Sequence, residues 1–303
     1  MKSVRPEETA ARPYRNLSLA QWERRCQKPD HRRIGNWMAR RVSRPVALRI
    51  TRVVAPWGVS ADGMTLAAWT CGVAAAAAFG WGTVAGWLLG AALLQLWYLL
   101  DHVDGQLARL HGSASLDGVQ LDYLMHHTLA LLVPLGTGWG LFAQTSEPGW
   151  CIGGLVWGVS LLLLGLHHDA RYKAFVQRLK ALEGTLDVVG GGAFRRSPQP
   201  PIPRHPLRLA GWAMRKACEP HVVMNLLTLI AAVSWLIQDR HLFVGRCYLA
   251  TAAAIALVTA TGTIVRSQRQ GACEQEFSAW FRAPQGRELV FVDGHWAVVS
   301  RKP

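Results

Sequence analysis

An all-α integral membrane protein is the architecture this sequence predicts: six transmembrane helices, an N-terminal amphipathic interfacial helix and a small cytoplasmic tail. Three observations carry that expectation. Half of the 303 residues are apolar although 17% are charged, and mean hydropathy is +0.13, so the two populations are segregated along the chain. Six apolar stretches with charge-free interiors follow one another, at about 64–83, 84–100, 123–142, 150–166, 221–237 and 242–265. The Lys and Arg residues fall between them on alternate sides, fourteen in 1–61, ten in 171–216 and six in 266–303, with only Arg240 and Arg246 in the turns opposite. By the positive-inside rule both termini face the cytoplasm, which six spans require.

Taken in order, residues 1–44 are a basic cytoplasmic segment. Pro45 suits a helix start, and Val46, Ile50, Val53, Val54 and Trp57 recur at helical spacing with Arg49 and Arg52 off that face. This predicts an amphipathic helix on the anionic cytoplasmic leaflet. A membrane domain over 45–265 then follows, its first two spans separated by a tight turn near Gly80, Gly82 and Thr83. The second, fourth and fifth apolar runs are short for a crossing and are expected to continue as helix. A cytoplasmic linker occupies about 171–220. Its Gly190-Gly191-Gly192 and the prolines from Pro198 to Pro203 mark the flexible part, at 183–206. In the tail, 266–303, Asp293-Gly294 between two apolar runs predicts a type I′ hairpin.

Composition also excludes classes. The net charge of +14 is mostly topological, because a nucleic-acid surface would not be interleaved with spans; no nucleic acid is expected as a partner. Six cysteines without a C-x-x-C pair exclude zinc fingers and a disulfide framework. The first twenty residues lack an apolar core, so no signal peptide is expected.

The chemistry concentrates in 101–127, DHVDGQLARLHGSASLDGVQLDYLMHH. Asp101 and Asp104 lie on one helical face, which Gly105 and Ala108 keep free of bulk. Asp122 and His126 are one turn apart at the start of the next helix, with Gly118 one turn before them. Carboxylates cost ~2.5–3.5 kcal/mol near a membrane-helix centre, less toward its end, and three grouped together repel one another. Divalent cations resolve both problems, and clustered carboxylates with open positions suit Mg²⁺ or Mn²⁺ held together with substrate phosphates. Arg109 is placed for a bidentate phosphate contact.

These residues resemble the signature of the CDP-alcohol phosphotransferase (CDP-alcohol phosphatidyltransferase) family: D-x-x-D-G-x-x-A-R, eight residues, G-x-x-x-D-x-x-x-D. Asp101, Asp104, Gly105, Ala108, Arg109, Gly118 and Asp122 match with the spacing intact. The resemblance implies a six-helix membrane fold with an N-terminal amphipathic helix and a cytoplasmic-side site. It also implies a metal-dependent transferase of phospholipid biosynthesis in the cytoplasmic (plasma) membrane. A phosphatidyl group would pass from a CDP-linked lipid donor, CDP-diacylglycerol, to an alcohol acceptor with release of CMP. Asp101, Asp104 and Asp122 would hold two ions of Mg²⁺ or Mn²⁺, and Gly105, Ala108, Arg109 and Gly118 would line the nucleotide site. Membrane lipids are implied partners, and family members are often homodimers.

The last motif position is Asp in the family, where it is the general base; here it is His126. Imidazole accepts a proton near neutral pH but offers Mg²⁺ no anionic oxygen. Either His126 acts as the catalytic base, or neighbouring groups compensate, or the chain is a non-catalytic relative that binds CDP-linked lipid or scaffolds a partner. A metal-dependent prenyltransferase is a third class, disfavoured by the Gly-x-x-Ala-Arg segment. An accessory or acceptor site is placed at His127, His168, Asp169, Arg171 and Lys173, where the fourth span returns to the cytoplasm. Serine, glycerol phosphate, an inositol phosphate and an amino alcohol are all compatible acceptors.

Overall fold

A computed structural model of the protein describes residues 17–29, 31–189, 202–237, 240–292 and 294–300. Residues 190–201 of the predicted linker and Asp293 of the predicted turn lie outside these. The described chain is mostly helical. Helix α1 (Leu19–Cys26) opens on a capping box in which Ser18 and Gln21 satisfy each other's backbone N–H groups. A π-helical turn, Ala39–Ser43, leads into α2 (Arg44–Val54), with Pro45 in its first turn. The face α2 packs against the protein is not the one its bulky apolar residues define. Ala47, Leu48 and Thr51 are buried, whereas Val53 and Trp57 are 56% and 74% exposed. Small residues let α2 approach its neighbour closely, and Thr51 Oγ1 donates to Gln106 Oε1 at 2.8 Å across that contact.

The body consists of α3 (Ala61–Gly80), α4 (Val84–His111), α5 (Leu116–Thr145), α6 (Gly149–Lys180), α7 (Pro206–Ala217), α8 (Pro220–Leu236) and α9 (His241–Arg269). Helices α3, α4, α6 and α9 are long and apolar enough to cross a membrane, and α7 with α8 makes a fifth if that bent pair is one span. Helix α5 has the length, at 30 residues, but Pro134, Gly136, Gly138 and Gly140 dilute its hydropathy. Those glycines serve packing: a Cβ at Gly136 would meet the Ala76 carbonyl oxygen of α3, and one at Gly138 would lie 2.5 Å from the Trp150 carbonyl oxygen of α6. The first span ends at Gly80, earlier than the sequence predicts. Gly82 takes φ +69°, and Thr83 Oγ1 then accepts from the Gly86 N–H at 3.1 Å to start α4.

The second and fourth apolar runs do continue as helix, in α4 and α6. The fifth does not: α8 has 17 residues, because Pro220 cannot extend the preceding helix and the chain bends by 79° between α7 and α8. Five exposed tryptophans form two groups, Trp81, Trp139 and Trp235 toward one end of the bundle and Trp37 and Trp57 toward the other, as expected of interfacial anchors.

Helix α6, at 32 residues, is about 48 Å long, well beyond the ~30 Å hydrocarbon core. Its C-terminal extension carries the tail. Helix α10 (Ala272–Trp280) docks there through Phe277, whose ring centroid is 5.4 Å from that of Phe175. Strand β1 (Leu182–Glu183) pairs in parallel with β5 (His295–Ser300), which pairs antiparallel with β4 (Arg287–Val292). A second small sheet joins β2 (Asp187–Val188) to β3 (Phe281–Arg282). Val292 faces His295 at the end of that pairing, and Gly294 has φ +85°.

Candidate functional site

The site forms where α4 ends and α5 begins. Gly112, at φ +63°, terminates α4 in a left-handed cap, and Ser115 Oγ accepts from the Gly118 N–H at 3.0 Å to start α5. The two motif helices do not pack along their lengths; each packs on α3 instead. They meet through side chains. His126 Nε2 lies 3.1 Å from Asp101 Oδ1 and 3.4 Å from Asp122 Oδ1. The three donor atoms of Asp101, Asp122 and His126 all lie within 4.8 Å of one another, a bound close to the ~4.2 Å that two metal bonds of roughly 2.1 Å span. The residues therefore fit a metal, with two hard oxygens and one imidazole nitrogen.

Asp104 stands one helical turn from Asp101 but outside that trio. It is 8% exposed and accepts from Thr65 Oγ1 at 2.7 Å and from the Gly105 N–H. A carboxylate has lone pairs beyond those two bonds. His102 Nδ1 donates to the Tyr98 carbonyl at 2.8 Å and lies 3.7 Å from Asp101 Oδ2, too far for a hydrogen bond to that carboxylate.

A polar cavity of about 400 Å³ opens over these groups, lined by Asp101, Asp104, Gly105, Ala108, Arg109, Gly118, Asp122 and His126. Every residue expected to hold metal or nucleotide thus borders one space. A Cβ at Gly105 would sit 3.3 Å from the Arg109 guanidinium, and one at Gly118 3.3 Å from Asp62 Oδ1, so these glycines leave room for charged groups. Arg109 Nε donates to the Cys26 carbonyl at 2.5 Å. Burial pushes the Cys26 thiol up to about 11, so this sulfur stays protonated near neutral pH.

The wall also includes residues that the sequence did not single out, among them Gln27, Lys28, Arg44 and Asp62. The first three belong to the N-terminal basic segment. Arg44 Nη1 donates to the His31 and Ile34 carbonyls, at 2.5 and 2.7 Å, which folds that segment over the cavity mouth. Only the Ser18–Gln21 capping box signalled that a helix there would order it.

The accessory residues divide. His127 Nε2 lies 2.8 Å from Asp169 Oδ2, and His168 Nδ1 3.0 Å from Asp169 Oδ1. Arg171 instead donates to Glu276 at 2.6 Å and so anchors the tail. Lys173 is exposed, and neither basic residue borders the polar cavity.

Residues 59–181 match the family model of CDP-alcohol phosphatidyltransferase. That segment belongs to the CDP-alcohol phosphatidyltransferase family. The match contains α3, α4, α5 and α6, hence both motif helices and the helix they share, and it agrees with the resemblance carried by the seven motif positions. A comparison with curated proteins gives no match. Among solved structures, the chain is similar to the Mycobacterium tuberculosis phosphatidylinositol phosphate synthase PgsA1 with CDP-DAG bound. That likeness has 21% identity, 74% of this chain, 94% of that chain and a TM-score of 0.48. The same protein in complex with manganese and citrate gives 22% identity over 72% of this chain and 88% of that one, TM-score 0.46. Its apo form gives 22% over 71% and 94%, TM-score 0.45.

Proposed function

We propose that the protein is a six-span, multi-pass phosphotransferase of the cytoplasmic membrane, with both termini in the cytoplasm and α2 on the leaflet surface. It moves a phosphatidyl group from a CDP-linked donor, CDP-diacylglycerol, to an alcohol acceptor and releases CMP. The observation that carries this reading is the convergence of Asp101, Asp122 and His126 on one point of a cavity walled by the family motif. Gly105, Ala108, Arg109 and Gly118 receive the nucleotide, and the Arg109 fork pairs with its phosphate.

Asp101 and Asp122 would hold one divalent ion and Asp104 with Asp101 a second, which leaves the lone pair of His126 to accept a proton. When bound, Mg²⁺ or Mn²⁺ supplies positive charge to the diphosphate and to the departing CMP. The acceptor oxygen forms a new bond to the β-phosphorus of the donor, while the bond from that phosphorus to the CMP oxygen breaks with its electron pair. The hydroxyl proton passes to a nitrogen of His126. His127, Asp169 and His168 border the acceptor side as an accessory polar group, and a homodimer is the proposed assembly.

A second reading has its own observation. A carboxylate only accepts, so His126 Nε2, set between Asp101 and Asp122, donates to both. An imidazole holding its proton there ties the carboxylates together as a cation would. The alternative protein is a non-catalytic relative that binds CDP-linked lipid.

CMP release in lipid nanodiscs separates the two. Metal-dependent release from CDP-diacylglycerol with a panel of alcohols, abolished by Asp104→Asn, supports the transferase. Release only after His126→Asp supports the binding relative.

A further inference from the structure

A second cavity, of about 470 Å³, lies on the other side of His126. Its wall is apolar, with Leu94 and Trp97 from α4, Leu129, Val133 and Pro134 from α5, Leu161 from α6, and Val223 and Met224 from α8. Among the described residues, His126 alone lines both this cavity and the polar one. Along α5 the apolar wall runs from His126 to Pro134, about 12 Å deeper into the bundle at 1.5 Å per residue. The cytoplasmic rim is polar, with His127, His168, Arg215 and Glu219. A space of this size, apolar with a few polar groups at one end, is the form of a ligand pocket and not of a packing defect.

The wall also holds polar groups without their usual partners. Trp97 is 4% exposed, and its indole N–H has no acceptor among the described residues. Pro134 has no N–H to offer the Ala130 carbonyl four residues earlier, and both residues line the cavity. Buried donors are ordinarily paired, so a ligand oxygen in this wall would find one waiting.

Resting on the transferase reading above, we infer that the acceptor is a membrane-borne amphiphilic alcohol of the acylglycerol type. Its apolar body fills this second cavity, and its hydroxyl meets His126 from the side opposite the nucleotide. Donor and acceptor then approach from two compartments of different polarity, and His126 is the wall through which they react. A small polar alcohol would gain little from an apolar wall and would leave the Trp97 N–H unpaired. An ester oxygen beside an acyl chain suits both.

Photo-crosslinking in nanodiscs tests the site without requiring turnover. The probe is a diacylglycerol with a diazirine in its acyl chain. It is expected to label the 126–134 and 161–165 segments, with the label competed by dioleoylglycerol but not by serine or CDP-diacylglycerol. Ala130→Phe, which narrows the cavity, should cut labelling and diacylglycerol-stimulated CMP release by about tenfold and leave CDP-diacylglycerol binding unchanged. Ala130→Ser should retain both. Competition by CDP-diacylglycerol would assign the cavity to the donor's tails and overturn the inference, as would labelling confined to the outer bundle surface. CMP release driven by serine or glycerol 3-phosphate, without specific labelling, would overturn it while upholding the transferase. Specific labelling with no CMP release from any acceptor would uphold the amphiphile site and remove the transferase reading instead.

Discussion

Two groups of acidic side chains lie toward the same end of the helices, and the bundle treats them oppositely. On the tail, Glu274 and Glu276 each meet an arginine of α6: Arg178 pairs with Glu274, and Arg171 with Glu276 at 2.6 Å. Arg178 also lies 4.8 Å from the Phe277 ring centroid and 4.0 Å from that of Trp296, so the ion pair is part of a packed aromatic contact. Between α4 and α5, Asp101 and Asp122 share one imidazole. Acids matched one to one with guanidinium groups hold an element in place. Acids that converge on a common point keep their negative field concentrated there, and that is the arrangement a cation and a diphosphate require.

The largest effect should come from destroying the convergence. Asp122→Asn is expected to lower CMP release by at least ~10³-fold, with loss of the Mn²⁺ signal that electron paramagnetic resonance would read from the bound wild-type protein. Unaltered release would return Asp122 to the class of structural acids. Chelation should act similarly and reversibly. EDTA is expected to abolish CMP release, and readdition of Mn²⁺ or Mg²⁺ should restore it.

A packing change comes next. Gly138→Leu places a side chain where the Trp150 carbonyl stands, and separating α5 from α6 should cost at least ~1–3 kcal/mol, seen as a lower thermal midpoint in detergent. Phe175→Ala probes the opposite region. It removes a side chain that is 4% exposed and should cost ~3–5 kcal/mol of tail docking. Limited proteolysis of 266–303 would accelerate, with CMP release within about twofold of wild type if the tail is structural.

The smallest effect is a pH dependence of the tail. Arg178 holds the Glu274 carboxyl below its usual value of 4.5. A depressed acid stabilises the docked tail fully above its ordinary value, and the contribution fades as pH falls through the lowered one. Protection of the tail from proteolysis should therefore weaken below about pH 4.5, and Arg178→Gln should flatten the response. A profile unchanged by Arg178→Gln would mean that aromatic packing alone holds the tail.

The motif carboxylates, the helical nature of the chain and the second and fourth helices' extension beyond their apolar runs were legible because each is local. Periodicity, capping and residue spacing on one helix need no knowledge of neighbours. The antiparallel pairing of β4 with β5 was legible for the same reason. The short fifth helix was not, since the 79° bend at Pro220 depends on where α7 has to lie. Nor was the packing face of α2: bulky apolar residues mark a hydrophobic side, but Ala47, Leu48 and Thr51 fit the protein surface and leave Val53 and Trp57 outward.

By itself the sequence determined where the carboxylates stand, because the spacing of Asp101, Asp104 and Asp122 fixes three of them on two helices whatever surrounds them. Tertiary structure alone decided who joins them. It turned Arg171 toward Glu276, folded Lys28 and Arg44 over the polar cavity, and set His126 between that cavity and the apolar one. Helical spacing dictates which side chains share a face, but the partners across a face come from residues distant in sequence, and only the packed bundle brings them within bonding distance.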